Sequence, residues 1–245
     1  MSGRDERRVL AELLALLAHD LKNPLAAAMA NVGYVESFVR DVGDARASPE
    51  DASEVRAAML DARIACDALH RLVSNLEVIV CDLERPRPAE PAPVGLRSIV
   101  DEVVARHLAP AAARRVEIVV EGERPWALCE RDALLRAADN ALANAIQHAP
   151  VGSRVTVRLW ARGDSEVVSV LDLGVVVPEA LRARALSLEG QAELKGRTDG
   201  RYGRGLSLYA ASSSARRAGG HLELGEQAGA NVISIVLPRH GEGVC

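Results

Sequence analysis

Aromatic side chains are almost missing from this chain: two Trp, three Tyr and one Phe make up 2% of its 245 residues. A core must therefore be built from Leu, Val, Ile and Ala. Cysteine is scarce too. Cys66, Cys81, Cys129 and Cys245 are scattered and form no CxxC pair. They suggest neither a disulfide framework nor a zinc site, and a reducing cytoplasm fits. Excess positive charge is lacking. The formal net charge is −4, which argues against a dedicated nucleic-acid binder. No uncharged apolar run approaches the ~20 residues of a membrane span. The opening MSGRDERRVL is charged and has no apolar signal core. The expectation is a cytoplasmic chain with no membrane span, whose sensor of any outside signal lies on a separate input protein. No internal repeat is visible.

What the chain does have is apolar bulk and charge in globular proportion, 49% and 26%. Its length allows one large or two modest domains. The first stretch, about residues 5–42, carries apolar residues at steps of three and four: Leu10, Leu14, Leu17, Leu21, Leu25, Ala28, Val32. It reads as one long helix. His19 falls about 200° from that seam, so the pattern predicts an exposed imidazole. Asp20 is adjacent and Asn23 is one turn on. Pro24 removes a backbone donor and crowds the Asp20 carbonyl, so a kink is expected beside the histidine. Taken alone, this stretch reads equally well as a solvated polar face with an incidental proline.

Gly43-Asp44 and Ser48-Pro49 mark a break, with Ser48 as N-cap and Pro49 in the first turn. The next helix repeats apolar residues from Ala52 through Val55, Met59, Ala62, Cys66, Leu69, Val73, Leu76 and Val80 to Leu83. That is a heptad seam over more than four repeats. A lone hairpin cannot bury both of its seams, so two copies pairing into a four-helix bundle is the expected solution. A hairpin folded against its own C-terminal part is the alternative. Residues 84–93, ERPRPAEPAP, read as an extended, semi-rigid linker and as the domain boundary. Beyond it the pattern predicts helices over 95–113, 130–149 and 206–217, and strands over 116–121, 155–160, 167–173, 221–224 and 232–237. Residues 175–203 read as irregular and rich in Gly and Arg. The expected class is α+β: a helical hairpin at 1–85, then an α/β sandwich at 94–240.

Three stretches of the second part carry chemistry. On the helix over 130–149, Asn140, Asn144 and His148 recur every fourth residue. Carboxamide oxygens are hard neutral ligands, suited to Mg²⁺ shared with phosphates. Leu171-Asp172-Leu173-Gly174 closes an apolar strand, where a buried acid can accept a hydrogen bond from an exocyclic amine. Gly203-Arg204-Gly205-Leu206-Ser207-Leu208 leads into a helix, a junction that offers backbone N–H groups to phosphate. Each has a plainer reading: helix surface polarity, an Asp–Gly turn, and two glycines before a helix.

In order, HDLKNP, the paired-Asn helix, DLG and GRGLSL resemble the motif series of bacterial two-component sensor histidine kinases, over nearly the whole chain. The resemblance implies a dimerisation and histidine-phosphotransfer domain in the first two helices. From about residue 94 it implies a Bergerat-fold ATP-binding domain, with residues 177–202 as its lid. It implies that His19 accepts the γ-phosphoryl group of ATP, that Asp20 orients and activates it, and that Asn23 helps position water for dephosphorylating a response regulator. It implies that Asn144 is the Mg²⁺ ligand with Asn140 one turn earlier, that Asp172 contacts adenine, and that Gly203 and Gly205 lie near the phosphates. Gln147, His148, Gly174 and Leu206 complete the expected nucleotide site. The implied activity is an ATP-dependent protein-histidine kinase, with response-regulator phosphatase activity alongside. The implied partner is the receiver domain of a separate response regulator.

The chain departs from that family's pattern in four places. The first glycine box, usually DxGxG, reads Asp172-Leu173-Gly174-Val175-Val176, and a β-branched Val176 resists positive φ. The second box has Ser207 where a glycine is usual. Gln147 stands where Lys or Arg often meets the phosphates. No phenylalanine box precedes the lid, because Phe38 is the only Phe. Lys195, Arg197, Arg201 and Arg204 could restore phosphate charge. Two other readings follow. One is a histidine phosphotransfer protein with a degenerate, non-binding ATPase domain. The other is a serine kinase of the same ATPase fold, as in anti-sigma factors, against which HDLKNP argues.

Overall fold

The computed structural model describes residues 3–42, 48–84, 90–122, 126–194 and 206–239. The side chains of 3–17, His19, Val42, 83, 84 and 192–194 lie outside that description. Contacts divide the chain into two compact units, Met1–Leu76 and Glu77–Cys245.

The first unit is helical. Helix α1 (Gly3–Val42) runs unbroken through Pro24, and α2 (Pro49–Glu84) follows. Ser48 starts α2 with a reciprocal cap. Its Oγ accepts the Asp51 N–H at 3.1 Å, and the Asp51 carboxylate accepts the Ser48 N–H at 2.8 Å. The Tyr34 hydroxyl donates to Glu54 at 2.7 Å and joins the two helices. Among this unit's described residues the buried ones are the small Ala28, Ala58 and Ala65, together with Asn75. The heptad seam of α2 is only partly covered: Val55, Ala62, Leu69 and Leu76 are half-buried, whereas Met59 and Val73 are exposed. On α1, Leu25, Met29 and Val39 are exposed as well.

The second unit begins with the last turns of α2. Strand β1 (Ala92–Gly95) leads into α3 (Leu96–Ala113) and β2 (Glu117–Glu121). Strand β3 (Trp126–Cys129) leads into α4 (Arg131–His148). Strands β4 (Arg154–Arg162) and β5 (Ser165–Asp172) form a hairpin. Short helices α5 (Glu179–Ala185) and α6 (Leu188–Leu194) come next, then α7 (Ser207–Arg217). Strands β6 (His221–Gln227) and β7 (Ala230–Pro238) close the unit. The main sheet has the order β2-β4-β5-β7-β6, and only β2 and β4 are parallel. One face carries Val155, Val157 and Leu159 of β4, Val168 and Val170 of β5, and Ile233, Ile235 and Leu237 of β7. They share one core with α3, α4 and α7. This alternation along each strand is what a sheet covered by helices on one side requires. The scarcity of aromatics is met by packing Leu, Val, Ile and Ala, as in Leu134, Ala137, Ala141 and Leu142 along α4.

Three features differ from the sequence expectation. Strands β1 and β3, each four residues long, pair antiparallel as a separate two-stranded sheet. They are too short to display a period of two, and Pro93 lies inside β1, which a strand with one free edge tolerates. Segment 175–203 is not wholly irregular, since it holds α5 and α6. The end of α2 belongs to the second unit, where Asp82 accepts hydrogen bonds of 2.6 Å from the Tyr209 and Ser213 hydroxyls of α7. Burial, and then the bond to Asp82, push the Tyr209 phenol well above its ordinary pKa. No described helix is long and apolar enough to cross a membrane.

Candidate nucleotide site

Helix α4 presents its apolar residues to the sheet and, on one line, two buried carboxamides. Asn140 is 4% exposed and Asn144 3%. Burying an amide costs free energy unless both ends find partners. Here each amide is half-satisfied. Asn140 Nδ2 donates to the Arg136 carbonyl one turn back at 3.0 Å. Asn144 Nδ2 donates to Ser207 Oγ at the start of α7, at 3.3 Å. Both carbonyl oxygens, Asn140 Oδ1 and Asn144 Oδ1, are buried with no protein partner. Two orphaned hard oxygens one turn apart fit a Mg²⁺ that takes its remaining ligands from phosphate and water.

The C-terminal end of α4 meets the end of β5. Gly174 lies so close to the His148 carbonyl that a Cβ there would collide with it, and would stand 2.8 Å from Asp172 Oδ1. Among the described residues Gly174 is not one of the glycines at positive φ, so close approach, not backbone freedom, requires glycine. The Gly174 N–H donates to Asp172 Oδ1 at 2.8 Å. Val176 is likewise absent from the positive-φ residues, so the altered glycine box closes without left-handed strain at that position.

Asp172 is 1% exposed and Asn231, its partner in the β5–β7 register, is fully buried. Asn231 Nδ2 donates to Asp172 Oδ2 at 3.4 Å, and Asn231 Oδ1 accepts the Val177 N–H at 3.4 Å. One carboxamide therefore ties the strand-end acid to the segment that follows it. Leu206, which leads into α7, is buried and left-handed at φ 55°. A non-glycine residue held there costs about 1 kcal/mol or more and marks a tightly determined junction.

The structure thus brings Asn144, Asp172, Gly174 and the Leu206–Ser207 junction around one end of α4, where Gln147 is half-buried. Gly203 and Gly205 lie outside the described residues, as do Lys195, Arg197, Arg201 and Arg204. His19, Asp20 and Asn23 sit on α1 in the other unit, Asp20 half-buried and Asn23 exposed. Sequence reasoning missed Asn231 and the pair His107–Asp139. His107 of α3 is buried, and its Nε2 lies 3.0 Å from Asp139 Oδ1, which locks α3 to α4 one residue before Asn140. The only sequence signal for these was a polar residue inside an otherwise apolar periodic segment.

Residues 129–241 match the family model described as Histidine kinase-, DNA gyrase B-, and HSP90-like ATPase. The sensor histidine kinase GlrK of Escherichia coli is 28% identical over 233 residues, covering 93% of this chain and 46% of its own length. The adaptive-response sensory kinase SasA of Synechocystis is 25% identical over 201 residues, covering 80% of this chain and 51% of its own. The chain therefore spans about half the length of these curated relatives. Among solved structures, the Acinetobacter baumannii histidine kinase AdeS aligns with 91% of this chain and 98% of its own at a TM-score of 0.56 and 10% identity. Histidine kinase ThkA, solved in complex with the response regulator protein TrrA, aligns with 98% of this chain and 65% of its own at 0.56 and 17%. At those identities the likeness shows the fold. Residues 129–241 thus match an ATPase family model, and the chain as a whole is similar to two-component sensor histidine kinases in sequence and in fold.

Proposed function

We propose that this chain is an ATP-dependent protein-histidine kinase that phosphorylates its own His19 and passes the group to an Asp of a separate response regulator. The observation that carries the reading is the buried, unpartnered Asn144 Oδ1 beside the Asp172–Gly174 turn, in a chain similar to sensor histidine kinases. Residues 1–85 serve as the dimerisation and phosphotransfer part, and 94–240 as the ATP-binding part. Asp172 accepts a hydrogen bond from the adenine amine. Asn144 Oδ1, with Asn140 one turn earlier, holds Mg²⁺. When bound, that ion offsets charge on the transferring phosphoryl group. Gln147, His148, Leu206 and the Gly203 and Gly205 backbone border the phosphates.

A His19 ring nitrogen attacks the γ-phosphorus. The N–P bond forms as the bond to the ADP oxygen breaks, and Asp20 takes the proton of the other ring nitrogen. The phosphoryl group then moves from His19 to an aspartate oxygen on the docked regulator. Asn23, one turn from His19, aims a water at that acyl phosphate and supports phosphatase activity. The chain works as a homodimer, because Met59, Cys66, Val73 and Val80 leave an exposed stripe at every seventh residue of α2. The site of action is the cytoplasm, with input from a separate sensor protein.

The test is incubation of the purified chain with γ-labelled ATP and Mg²⁺. The expected label is acid-labile, alkali-stable and absent from His19→Ala, and Asn144→Asp or Asp172→Asn abolishes it. Asn23→Ala keeps the label but slows regulator dephosphorylation. An acid-stable label that survives His19→Ala overturns the reading in favour of a serine kinase. A chain that accepts phosphate on His19 yet never binds ATP overturns it in favour of a pure phosphotransfer protein.

A further inference from the structure

The two carboxamides of α4 are held in different ways. Asn140 is tethered within its own helix by the Arg136 carbonyl. Asn144 Nδ2 instead donates to a side chain 63 residues away, the Ser207 hydroxyl. An amide has two ends of similar shape and opposite sense. One offers a lone pair to a cation, and the other offers N–H groups that repel it. A hydroxyl can pair with either end, and the end it engages leaves the other to face the site. The Ser207 hydroxyl takes the nitrogen end, and the oxygen end is left buried without a protein partner.

We infer that Ser207 is a positioning residue for the metal ligand: by accepting from Asn144 Nδ2 it presents Asn144 Oδ1 to the nucleotide-bound divalent cation. The inference rests on the proposed kinase reading. Ser207 itself touches neither metal nor nucleotide in this account. A residue without the hydroxyl leaves the carboxamide free to turn about its last side-chain bond, so that a large share of molecules offer the wrong end. Outer partners of metal ligands commonly govern affinity by one to two orders of magnitude.

The test measures binding of a fluorescent ATP analogue to the full chain as Mg²⁺ is titrated, and again with EDTA. Ser207→Ala is expected to raise the Mg²⁺ concentration for half-maximal binding by about tenfold, while metal-free analogue binding stays unchanged. Ser207→Thr keeps the hydroxyl and should restore the wild-type midpoint. In an Asn144→Ala background there is no carboxamide left to orient, so adding Ser207→Ala should shift the midpoint no further. A merely structural role for Ser207 would weaken metal-free binding equally and would persist in that background, and either result overturns the inference. An unchanged Mg²⁺ midpoint in a Ser207→Ala chain that still binds the analogue overturns it while leaving the kinase reading intact. A wild-type chain that binds no analogue at all overturns both.

Discussion

Asn231 and Asp172 face each other across β7 and β5, and the carboxamide of one donates to the carboxylate of the other at 3.4 Å. Neither side chain reaches water. The same Asn231 accepts the Val177 N–H, so one residue orients the acid and anchors the chain leaving it.

Asn231→Ala should therefore remove two buried hydrogen bonds and strand a backbone N–H. The expected loss is about 1–3 kcal/mol of stability, with weaker nucleotide binding through a misaligned Asp172. Thermal denaturation and titration with ADP measure the two effects. A variant with wild-type melting and affinity would mean that Asn231 is incidental.

Gly174→Ala forces a Cβ against the His148 carbonyl. Backbone on both sides leaves little room to yield, so a cost of about 1–3 kcal/mol is expected, together with displacement of the Asp172 turn. Gly225→Ala is the control, because a Cβ there meets nothing within 4 Å. It should be neutral or slightly stabilising. Equal melting temperatures for the two variants would contradict this steric account.

The Arg162 guanidinium grips Glu223 through two bonds of 2.8 Å across the sheet. Chiefly that bond, opposed by partial burial and aided by His221, pulls the Glu223 carboxyl down to about 2. The unfolded chain titrates this group near 4.5. Its contribution is thus complete above the unfolded value and is lost as pH falls through about 2. Glu223→Gln should flatten the stability profile between those limits and leave it unchanged near neutrality in shape. The Glu223 side chain is still 41% exposed, so solvent screening keeps the effect small. Urea denaturation at stepped pH detects it.

Met59 and Val73 point outward from α2 at 60% and 47% exposure. Replacing both with Glu should leave the Tyr34–Glu54 link and the Ser48 cap in place but convert the chain to a monomer. Light scattering at tens of micromolar reads the mass. A wild-type monomer at that concentration would remove the bundle proposal.

Much of the fold was legible because its elements are long and periodic. The Asn140–Asn144 spacing and the seam of α2 each follow from a repeat that a linear reading can see. Strands β1 and β3 were not legible, since four residues cannot establish an alternation. Asn231 was invisible for another reason. Its meaning depends on which residue of β5 lies opposite, and register is a property of two strands. Ser207 could be read only as a departure from a glycine box. That its hydroxyl holds Asn144 emerges once α7 packs beside α4. His107 likewise acquires a role only when Asp139, 32 residues on, arrives beside it.

The central strands also set a folding order. Ser169 and Ser234 bond each other across β5 and β7 at a sequence separation of 65, whereas Tyr34 and Glu54 are separated by 20. Closing long loops loses chain entropy before any contact repays it, and such topologies fold slowly. The helical hairpin should form first, with the sheet condensing around β5 afterwards. In stopped-flow refolding this gives an early rise in helix signal and a later phase that Asn231→Ala slows or leaves unchanged according to whether β7 has docked in the transition state.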